Sequence, residues 1–597
     1  EQTYLNILSP LLVNAIRSVV TYTSENLDGN RIQLSAPYKL LYNHWSELED
    51  YKSNHPVTHD EAYIAECNAH IDFLLRFLEE SDGGGIRIEQ ARWNRDRPTA
   101  TFKNLWLLLK PGEMVFVRKD DEPSPYVVEW VGGGVIKGKA TAYKVEVWNI
   151  DYDGQYFGRS LFNVEIKPFD GEVEISRLKI YPEAYHPNLE SERERLIARG
   201  KKFFKAVKDY SFMEYTGTTV QGPKRKYVRE RIVFDYTFQP WLESQLKNKH
   251  EPDFSGYFSD SMGASNCFCD ACLKAEEAKT CNTMGRYYGW DQMDPTETSF
   301  SDQQYLLCSR IVYGYVLKER QWRILDVAGV SVPTFNPGIM DSLVMDENKK
   351  DVIKAICHEF TRSETNFTAD FVPGKGQGRI FLLHGKPGVG KTLTAECVAE
   401  NTRRPLLSIT AGDIGTTGDR VEANLSRYFK WAEDWKAILL MDEADIYLEE
   451  RSKRELERNS VVSVFLRALE YYSGILFITT NRVGTFDEAF QSRIHISIHY
   501  KGFDEKQRRQ VWENNFDKLY KERNGKVSYD YSVREFVLRD KYVQDLDWNG
   551  REIRNCFQTA VTLAEYEANR EGRDTVQLKK SHLERVMDMS KAFENYL

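Results

Sequence analysis

Phosphate-binding chemistry is carried by one short run of glycines that ends in a lysine and a threonine. Eight consecutive residues match the pattern G-x-x-x-x-G-K-[ST]: Gly385, Lys386, Pro387, Gly388, Val389, Gly390, Lys391 and Thr392. In such a run backbone N–H groups surround phosphate oxygens, the lysine contacts the β- and γ-phosphates, and the threonine hydroxyl binds Mg²⁺. The run therefore predicts a site for a nucleoside triphosphate together with Mg²⁺.

The residues on both sides of this run have the patterns that a phosphate loop requires. Residues 379–384 are an apolar β-type stretch, and residues 393–400 alternate polar and apolar residues at helical spacing. The order strand, loop, helix places the loop at a helix N-terminus, whose partial positive charge favours phosphate. This order argues against the alternative, a glycine-rich turn that only bends the chain.

Two carboxylates follow a second apolar run. Asp442 and Glu443 come directly after residues 437–441, about fifty residues beyond the loop. A strand buried on both faces would present Asp442 at its carboxyl end, beside the hydroxyl of Thr392. We expect Asp442 and Thr392 to hold Mg²⁺, and Glu443 to orient or deprotonate the attacking water. An Asp-Glu pair after an apolar run is common, so this prediction depends on the loop upstream.

Strands and helices alternate around these motifs. Further strand candidates lie at residues 406–409, 437–441, 475–480 and 495–499, a helix is expected over 343–360, and helical stretches separate the strands. The alternation predicts an α/β P-loop NTPase fold, a parallel five-stranded sheet flanked by helices, over residues 335–502. Residues 503–597 have helical patterns and suit a C-terminal lid.

Together these motifs resemble those of the AAA+ ATPases, and within them the AAA proteins proper. Residues 477–482, 487–493 and 549–554 add to the match. The resemblance covers residues 335–597 and is nearest to a group of fungal AAA ATPases with a large N-terminal domain of unassigned role. It implies hydrolysis of ATP to ADP and phosphate by a ring of identical subunits, most often a hexamer.

The resemblance also implies roles for single side chains. Asn481 would contact the γ-phosphate or the attacking water, unless it only caps a turn. Arg493 would be an arginine finger that is donated in trans to the neighbouring subunit's nucleotide, and its alternative is a surface salt bridge. The family usually has two arginines around a Pro-Gly there, whereas residues 491–495 offer one.

The lid offers two arginines for one further role. Arg551 or Arg554 would be the arginine that senses nucleotide, and the spacing does not choose between them. The other can pair with Glu552 or Glu565 on a helix surface.

The stretch 412–420 departs from family members that thread polypeptide. Those members carry an aromatic and an apolar residue in a pore loop, and Thr416 and Thr417 occupy these positions here. Threading would therefore lack its usual aromatic contact. Residues 449–455 would form a second, charged loop, or simply a solvated surface run.

Four cysteines lie close together in a loop-rich segment: Cys267, Cys269, Cys272 and Cys281. The C-x-x-C spacing of Cys269 and Cys272 is typical of zinc knuckles, and four thiolates can close a tetrahedral site. The pattern lacks a second C-x-x-C pair, so unliganded cysteines are the alternative.

The first half of the chain falls into three predicted parts. Residues 1–98 are mostly helical, and residues 99–250 form a β-rich domain with a helix near 191–208 and a turn at Gly132, Gly133 and Gly134. Residues 251–334 are a loop-rich, cysteine-containing insert and connector. This N-terminal half contains no motif that indicates an activity.

Composition limits the class of protein. Of 597 residues, 41% are hydrophobic and 29% are charged, which is typical of a folded protein with several domains. A net charge of −9 argues against a nucleic-acid partner, and no run approaches the length of a membrane span. Nine scattered cysteines favour a reducing, intracellular compartment, the cytoplasm by default, with the nucleus or an organelle as alternatives.

The function expected from all this is that of a ring-forming ATPase that remodels a protein client or complex. One alternative is a scaffold whose assembly is gated by nucleotide. The lack of an aromatic side chain in the pore loop favours this alternative. The other is a motor that acts on nucleic acid, against which the acidity counts.

Overall fold

The computed structural model describes most of the chain between residues 3 and 594. Outside the described part lie residues 24, 26, 28, 83, 120–121, 137, 209–210, 222, 239–266, 268, 277–285, 297–298, 337, 363–376, 449–455, 483–487 and 524–525. Cys281 and the charged run 449–455 are therefore not described.

The N-terminal segment is mainly helical. Its elements are β1 (Tyr4–Ile7), α1 (Pro10–Val19), β2 (Ile32–Ser35), α2 (Lys39–Asn43), α3 (Trp45–Tyr51), α4 (Glu61–Asp82) and α5 (Gly85–Trp93). The Ser9 hydroxyl caps α1 by accepting a hydrogen bond from the N–H of Leu12, 3.3 Å away. The apolar face of α1 buries Val13 and Ile16 and packs on α3 and α4.

An antiparallel sheet follows, with strand order β7-β6-β5-β4-β9. The elements are β3 (Thr99–Thr101), β4 (Met114–Lys119), β5 (Glu122–Ile136), β6 (Lys139–Tyr152), β7 (Phe157–Ile166), β8 (Glu172–Glu174), β9 (Ile180–Pro182) and α6 (Leu189–Lys208). The turn expected at Gly132, Gly133 and Gly134 is wrong. These glycines lie inside β5, where the pairing register shifts. A Cβ on Gly133 would lie 2.2 Å from the carbonyl oxygen of Ala142, so the bulge requires glycine there.

A second antiparallel sheet has the order β13-β12-β11-β10-β14. Its elements and the two helices between them are β10 (Ser211–Thr218), β11 (Lys226–Phe234), α7 (Asp270–Glu276), α8 (Asp302–Leu306), β12 (Ile311–Val316), β13 (Gln321–Asp326) and β14 (Val330–Ser331). Residues 311–331 thus extend a sheet that begins before residue 250. The segment 251–334 is more than an insert and connector, because it supplies three strands of this sheet.

The nucleotide-binding unit is the α/β fold that the sequence predicts. Its elements are α9 (Glu347–Arg362), β15 (Arg379–Gly385), α10 (Lys391–Thr402), β16 (Leu406–Thr410), α11 (Ala411–Ile414), α12 (Gly418–Asp434), β17 (Ile438–Asp442), α13 (Asp445–Leu448), α14 (Leu456–Tyr471), β18 (Ile475–Thr480), α15 (Glu488–Gln491) and β19 (Ile496–Tyr500). The five strands are parallel and have the order β16-β17-β18-β15-β19. This order brings the carboxyl ends of β15, β17 and β18 together at one edge.

The C-terminal lid is helical with one small sheet. Its elements are α16 (Glu505–Arg523), β20 (Val527–Tyr529), α17 (Tyr531–Arg539), α18 (Lys541–Gln544), α19 (Gly550–Arg570), β21 (Val576–Leu578) and α20 (Lys580–Glu594). The lid has a hydrophobic core of its own, with Trp512, Phe516, Phe557 and Leu583 among its members.

The second N-terminal sheet packs directly on the nucleotide-binding unit. The rings of Tyr315 and Trp322 lie against Trp431 and Trp435 at the end of α12, with centroids between 5.1 and 6.5 Å apart. The indole N–H of Trp435 donates to the buried carboxylate of Asp235, 2.7 Å away. The two units therefore share one hydrophobic core.

Two ion pairs extend this contact. Arg231 on β11 pairs with Glu400 on α10 at 3.0 Å, and Arg320 in the β12–β13 turn pairs with Asp413 on α11, also at 3.0 Å. Helix α10 begins at the phosphate loop, so the N-terminal half contacts an element of the candidate site. In the part of the chain that the structure describes, no helix has the length and apolar character needed to cross a bilayer.

Candidate nucleotide-binding site

The glycine-rich run forms a loop between the end of β15 and the start of α10. The backbone is left-handed at Gly388 and Gly390, with φ of 76° and 100°, so both positions favour glycine. Gly388 is also in close contact with the lid. A Cβ there would lie 2.3 Å from Asn549 Oδ1, and the N–H of Gly550 donates to the Gly388 carbonyl at 3.0 Å.

Lys391 lies inside this loop and is 7% exposed. Its ammonium donates to the carbonyl oxygens of Gly385 and Lys386, at 2.8 and 2.7 Å, and to Asn481 Oδ1 at 2.9 Å. Burial lowers the pKa of Lys391, while the carboxylate of Asp442 opposes that shift. A partly desolvated cation held by neutral oxygens is well placed to bind an anion. The structure thus brings together Lys391 and Asn481, which the sequence places in different motifs.

Thr392 and Asp442 meet beside the loop. The Thr392 hydroxyl donates to Asp442 Oδ1 across 3.1 Å, and the hydroxyl of Thr479 donates to the same carboxylate. A hydroxyl and a carboxylate are hard oxygen donors of the type that Mg²⁺ prefers. This pair fits the predicted magnesium ligands.

Glu443 follows Asp442 in a constrained backbone conformation. Its φ is 54°, a left-handed value that is uncommon for residues other than glycine, and such positions cluster at functional sites. Its N–H donates to Thr479 Oγ1 at 3.0 Å, which holds the turn in place. The side chain is exposed and lines the cleft described next.

A cleft of about 880 Å³ lies between the phosphate loop and the lid, beside the contact of Gly388 with Gly550. It is lined by the loop, the ends of β17 and β18, the segment before α9, and the lid helices α16 and α19. The volume is within the usual range of ligand pockets. Both Arg551 and Arg554 line it, so the structure does not choose between them either. Burial raises the pKa of Glu396 in the same cleft, and the guanidinium of Arg554 opposes the shift.

Several lining residues were not found from the sequence. Asn336 and Leu343 precede α9, and Asn514 and Lys518 lie on α16. They belong to no motif, so only the fold reveals them. Thr479 is different, because a hydroxyl near the end of the otherwise apolar strand β18 is a signal that the sequence contains.

Arg493 lies away from these groups in its own chain. It donates to the carbonyl of Ala489 at 2.7 Å and pairs with Glu470 at 3.3 Å, and it is not among the residues that line the cleft. Thr416 and Thr417 are exposed between α11 and α12. Three of the four predicted zinc ligands, Cys267, Cys269 and Cys272, come together, and the fourth, Cys281, is outside the described residues.

Comparisons with known proteins identify the type of nucleotide-binding unit. Residues 381–501 match the family described as ATPase family associated with various cellular activities (AAA), and residues 503–597 match the fungal AAA+ ATPase lid domain. The C-terminal part of this chain is an AAA module with a fungal-type lid. Residues 90–187 match a domain of unknown function (DUF7025). The AAA match implies that the module binds and hydrolyses ATP.

Relatives of the AAA module occur in animals. The chain is 30% identical over 149 residues to human ATPase family AAA domain-containing protein 3B, covering 24% of this chain and 23% of that protein. It is 28% identical over 177 residues to ATPase family AAA domain-containing protein 3-B of Xenopus laevis. That match covers 28% of this chain and 30% of that protein. The chain thus spans less than a third of the length of these relatives.

Among solved structures, the chain is similar to the FIGL-1 AAA domain in complex with ADP. The TM-score is 0.32 at 19% identity, and the match covers 43% of this chain and 86% of that one.

Proposed function

We propose that the AAA module hydrolyses ATP with Mg²⁺ in the cleft between the five-stranded sheet and the lid. The observation that carries this proposal is the contact of Lys391 with Asn481, 2.9 Å apart, next to the contact of Thr392 with Asp442. A cation and a hydroxyl from α10, a carboxylate from the end of β17 and an amide that follows β18 converge on one phosphate loop. Phosphoryl transfer needs mainly positioning and charge stabilisation, which such a set supplies.

Each side chain has a role in this scheme. Lys391 exchanges its contacts with loop carbonyls for oxygens of the β- and γ-phosphates. Thr392 and Asp442 would hold Mg²⁺, which would neutralise phosphate charge when bound. Glu443 takes a proton from the water whose oxygen attacks the γ-phosphorus, while the bond from that phosphorus to the β–γ bridging oxygen breaks. Asn481 orients the water or the γ-phosphate.

We further propose that the active unit is a ring of identical subunits, with a hexamer as the expected size. In this ring Arg493 completes the nucleotide site of the neighbouring subunit. Arg493 is bound to Glu470 within its own chain, and its own cleft lies elsewhere. An arginine in this position can act only on nucleotide that a second subunit holds. ATP between subunits would close their interface, and hydrolysis would loosen it.

The work done by such a ring is proposed to be the remodelling of a protein client. A second function, a nucleotide-gated assembly scaffold, is favoured by the loop before α12. Thr416 and Thr417 present no aromatic ring, and nearby Asp413 is bound to Arg320 of the N-terminal half. A loop held by another domain of its own chain is poorly suited to follow a moving polypeptide.

The variant Glu443→Gln tests the proposed chemistry. It keeps the size of the side chain and removes the base, so ATP binding should persist while turnover falls by about 10²-fold or more. Glu422→Gln is the matched control, because Glu422 is exposed and pairs with Arg467. Normal turnover in Glu443→Gln would overturn the assignment of Glu443 as the base. Full activity of single chains at saturating ATP would overturn the proposal of a ring.

A second experiment separates the two functions. If the ring remodels a client, unfolded protein should stimulate ATP hydrolysis, and Glu443→Gln should retain the client in ATP. If the chain is a scaffold, ATP should change the size of the assembly, as measured by mass photometry, while unfolded protein leaves turnover unchanged.

A further inference from the structure

Four potential metal ligands from distant parts of the chain meet at one point. The ligand atoms of His59, Cys267, Cys269 and Cys272 all lie within 4.8 Å of one another. His59 Nε2 is 3.3, 3.5 and 3.4 Å from the sulfur atoms of the three cysteines in that order. In a tetrahedral zinc site, Zn–N and Zn–S bonds of about 2.0–2.1 and 2.3 Å separate nitrogen from sulfur by about 3.5 Å.

We propose that these four residues bind one Zn²⁺ in a closed Cys₃His site. Four protein ligands fill a tetrahedral shell and leave no position for water or substrate, so the site is structural rather than catalytic. The cysteine cluster was predicted from the sequence with Cys281 as its fourth member. His59 takes that place among the described residues, and it lies about two hundred positions earlier in the chain.

A chain of hydrogen bonds presents the correct nitrogen of His59 to the metal. The Asn68 amide donates to the carbonyl of Lys52 at 3.1 Å, which turns Asn68 Oδ1 towards His55 Nε2, 2.9 Å away. This oxygen can only accept, so His55 carries its proton on Nε2 and accepts at Nδ1. His59 Nδ1, 3.1 Å from that atom, must then be the donor. The lone pair of His59 Nε2 is left for the metal, as in sites where a second residue sets the histidine tautomer.

The sulfur atoms are also surrounded by donors that stabilise thiolates. The N–H of Cys269 donates to Cys267 Sγ and the N–H of Cys272 donates to Cys269 Sγ, each at 3.4 Å. The hydroxyl of Thr58 is 2.9 Å from Cys272 Sγ, and that of Tyr63 is 3.7 Å from Cys267 Sγ. Zinc binds the thiolate form, so these contacts favour the ligated state.

The site would join two segments that are far apart in the sequence. His59 lies in the turn between α3 and α4, and the cysteines lie at and just before the start of α7. A metal that links positions so far apart removes much of the freedom of the intervening chain. It would fix the loop-rich segment on the N-terminal helices.

Metal analysis of the full-length chain tests the proposal. Protein expressed with added zinc and purified without chelator should contain about one zinc per chain, released when the thiols are titrated with a mercurial. Cobalt in place of zinc should give thiolate charge-transfer and tetrahedral d–d absorption bands, which do not depend on any variant folding. Absence of zinc from folded protein with reduced thiols would overturn the proposal.

Variants identify the ligands. His59→Asn and Cys272→Ser should lose most of the zinc, whereas Cys281→Ser and Cys357→Ser should keep it. Retention in His59→Asn with loss in Cys281→Ser would overturn the assignment of the fourth ligand. His55→Gln changes a positioning residue, so the fold and the ATPase rate should persist while zinc affinity falls about 10- to 100-fold in competition with a chelator. Unchanged zinc affinity would contradict the role of His55 in orienting His59.

Discussion

Arg493 and Glu470 form an ion pair within one chain, with 3.3 Å between Nη2 and Oε2. Glu470 is on α14 and Arg493 is the second residue after α15, so the proposed finger is held against its own subunit. The pair is partly exposed, and exposed ion pairs contribute little to stability. It can therefore exchange at small cost for a phosphate of the neighbouring subunit.

Arg493→Ala should lower the maximal ATPase rate by about 10³-fold or more and leave ATP binding nearly unchanged, because the finger stabilises charge only as the bond breaks. Steady-state turnover and nucleotide affinity measure the two effects. Arg467→Ala is the control, since Arg467 is an exposed arginine on the same helix as Glu470. Mixing Arg493→Ala with Glu443→Gln subunits should restore activity above either variant alone. Full activity of Arg493→Ala would contradict the role in trans.

Asn481→Asp should distinguish ATP from ADP. The new carboxylate stays beside Lys391 but repels the γ-phosphate, so affinity for ATP should fall on the order of tenfold or more while affinity for ADP changes less. Calorimetric titration of both nucleotides measures this difference. Lys391→Ala should instead weaken the binding of both ATP and ADP. Equal losses for ATP and ADP in Asn481→Asp would place Asn481 away from the γ-phosphate.

Trp435→Phe should weaken the attachment of the N-terminal half. It removes the N–H that donates to buried Asp235, and an unsatisfied buried acceptor costs about 1–3 kcal/mol. Trp431→Phe is a matched control, because the indole N–H of Trp431 has no hydrogen-bond partner in the described part of the structure. Denaturant unfolding should show the larger loss for Trp435→Phe, and adding Asp235→Asn to it should cost less than the sum of the single changes.

Asp151 should make the N-terminal half less stable as pH rises. Burial raises its pKa to about 7, so between pH 4 and 7 the folded state keeps a proton that the unfolded chain has lost. The free energy of unfolding then falls by up to about 1.4 kcal/mol per pH unit from this group. Asp151→Asn should remove that slope and stabilise the protein most at pH 8. Denaturant unfolding at pH 5 and pH 8 measures this change in stability. Asp170→Asn is the control, because Asp170 is exposed.

The nucleotide-binding sheet was predictable because its strands are buried on both faces. Such strands are continuous apolar runs, and β18 was predicted to the residue, while β17 and β19 were displaced by one. The motif residues lie where loops leave these strands. Their convergence follows from the parallel order, which alternation of strands and helices indicates.

Features that depend on pairing between distant residues could not be predicted. The glycines of β5 resemble a turn until the partner strand β6 is known. His59 has no motif around it, since its neighbours in the cluster come about two hundred residues later. The aromatic contact between β12, β13 and α12 likewise arises only when two units pack. Local patterns contain no information about such encounters.

The backbone contact between Gly388 and Gly550 allows a small movement of the phosphate loop to become a larger displacement at the far end of the lid helix α19. Helix α19 starts at that contact and has 21 residues, so it is about 30 Å long. A tilt of about 5° at the phosphate end would move the other end by roughly 3 Å. Loss of a single phosphate from the nucleotide could thus displace any surface that contacts the C-terminal end of α19, about 30 Å from the site of hydrolysis.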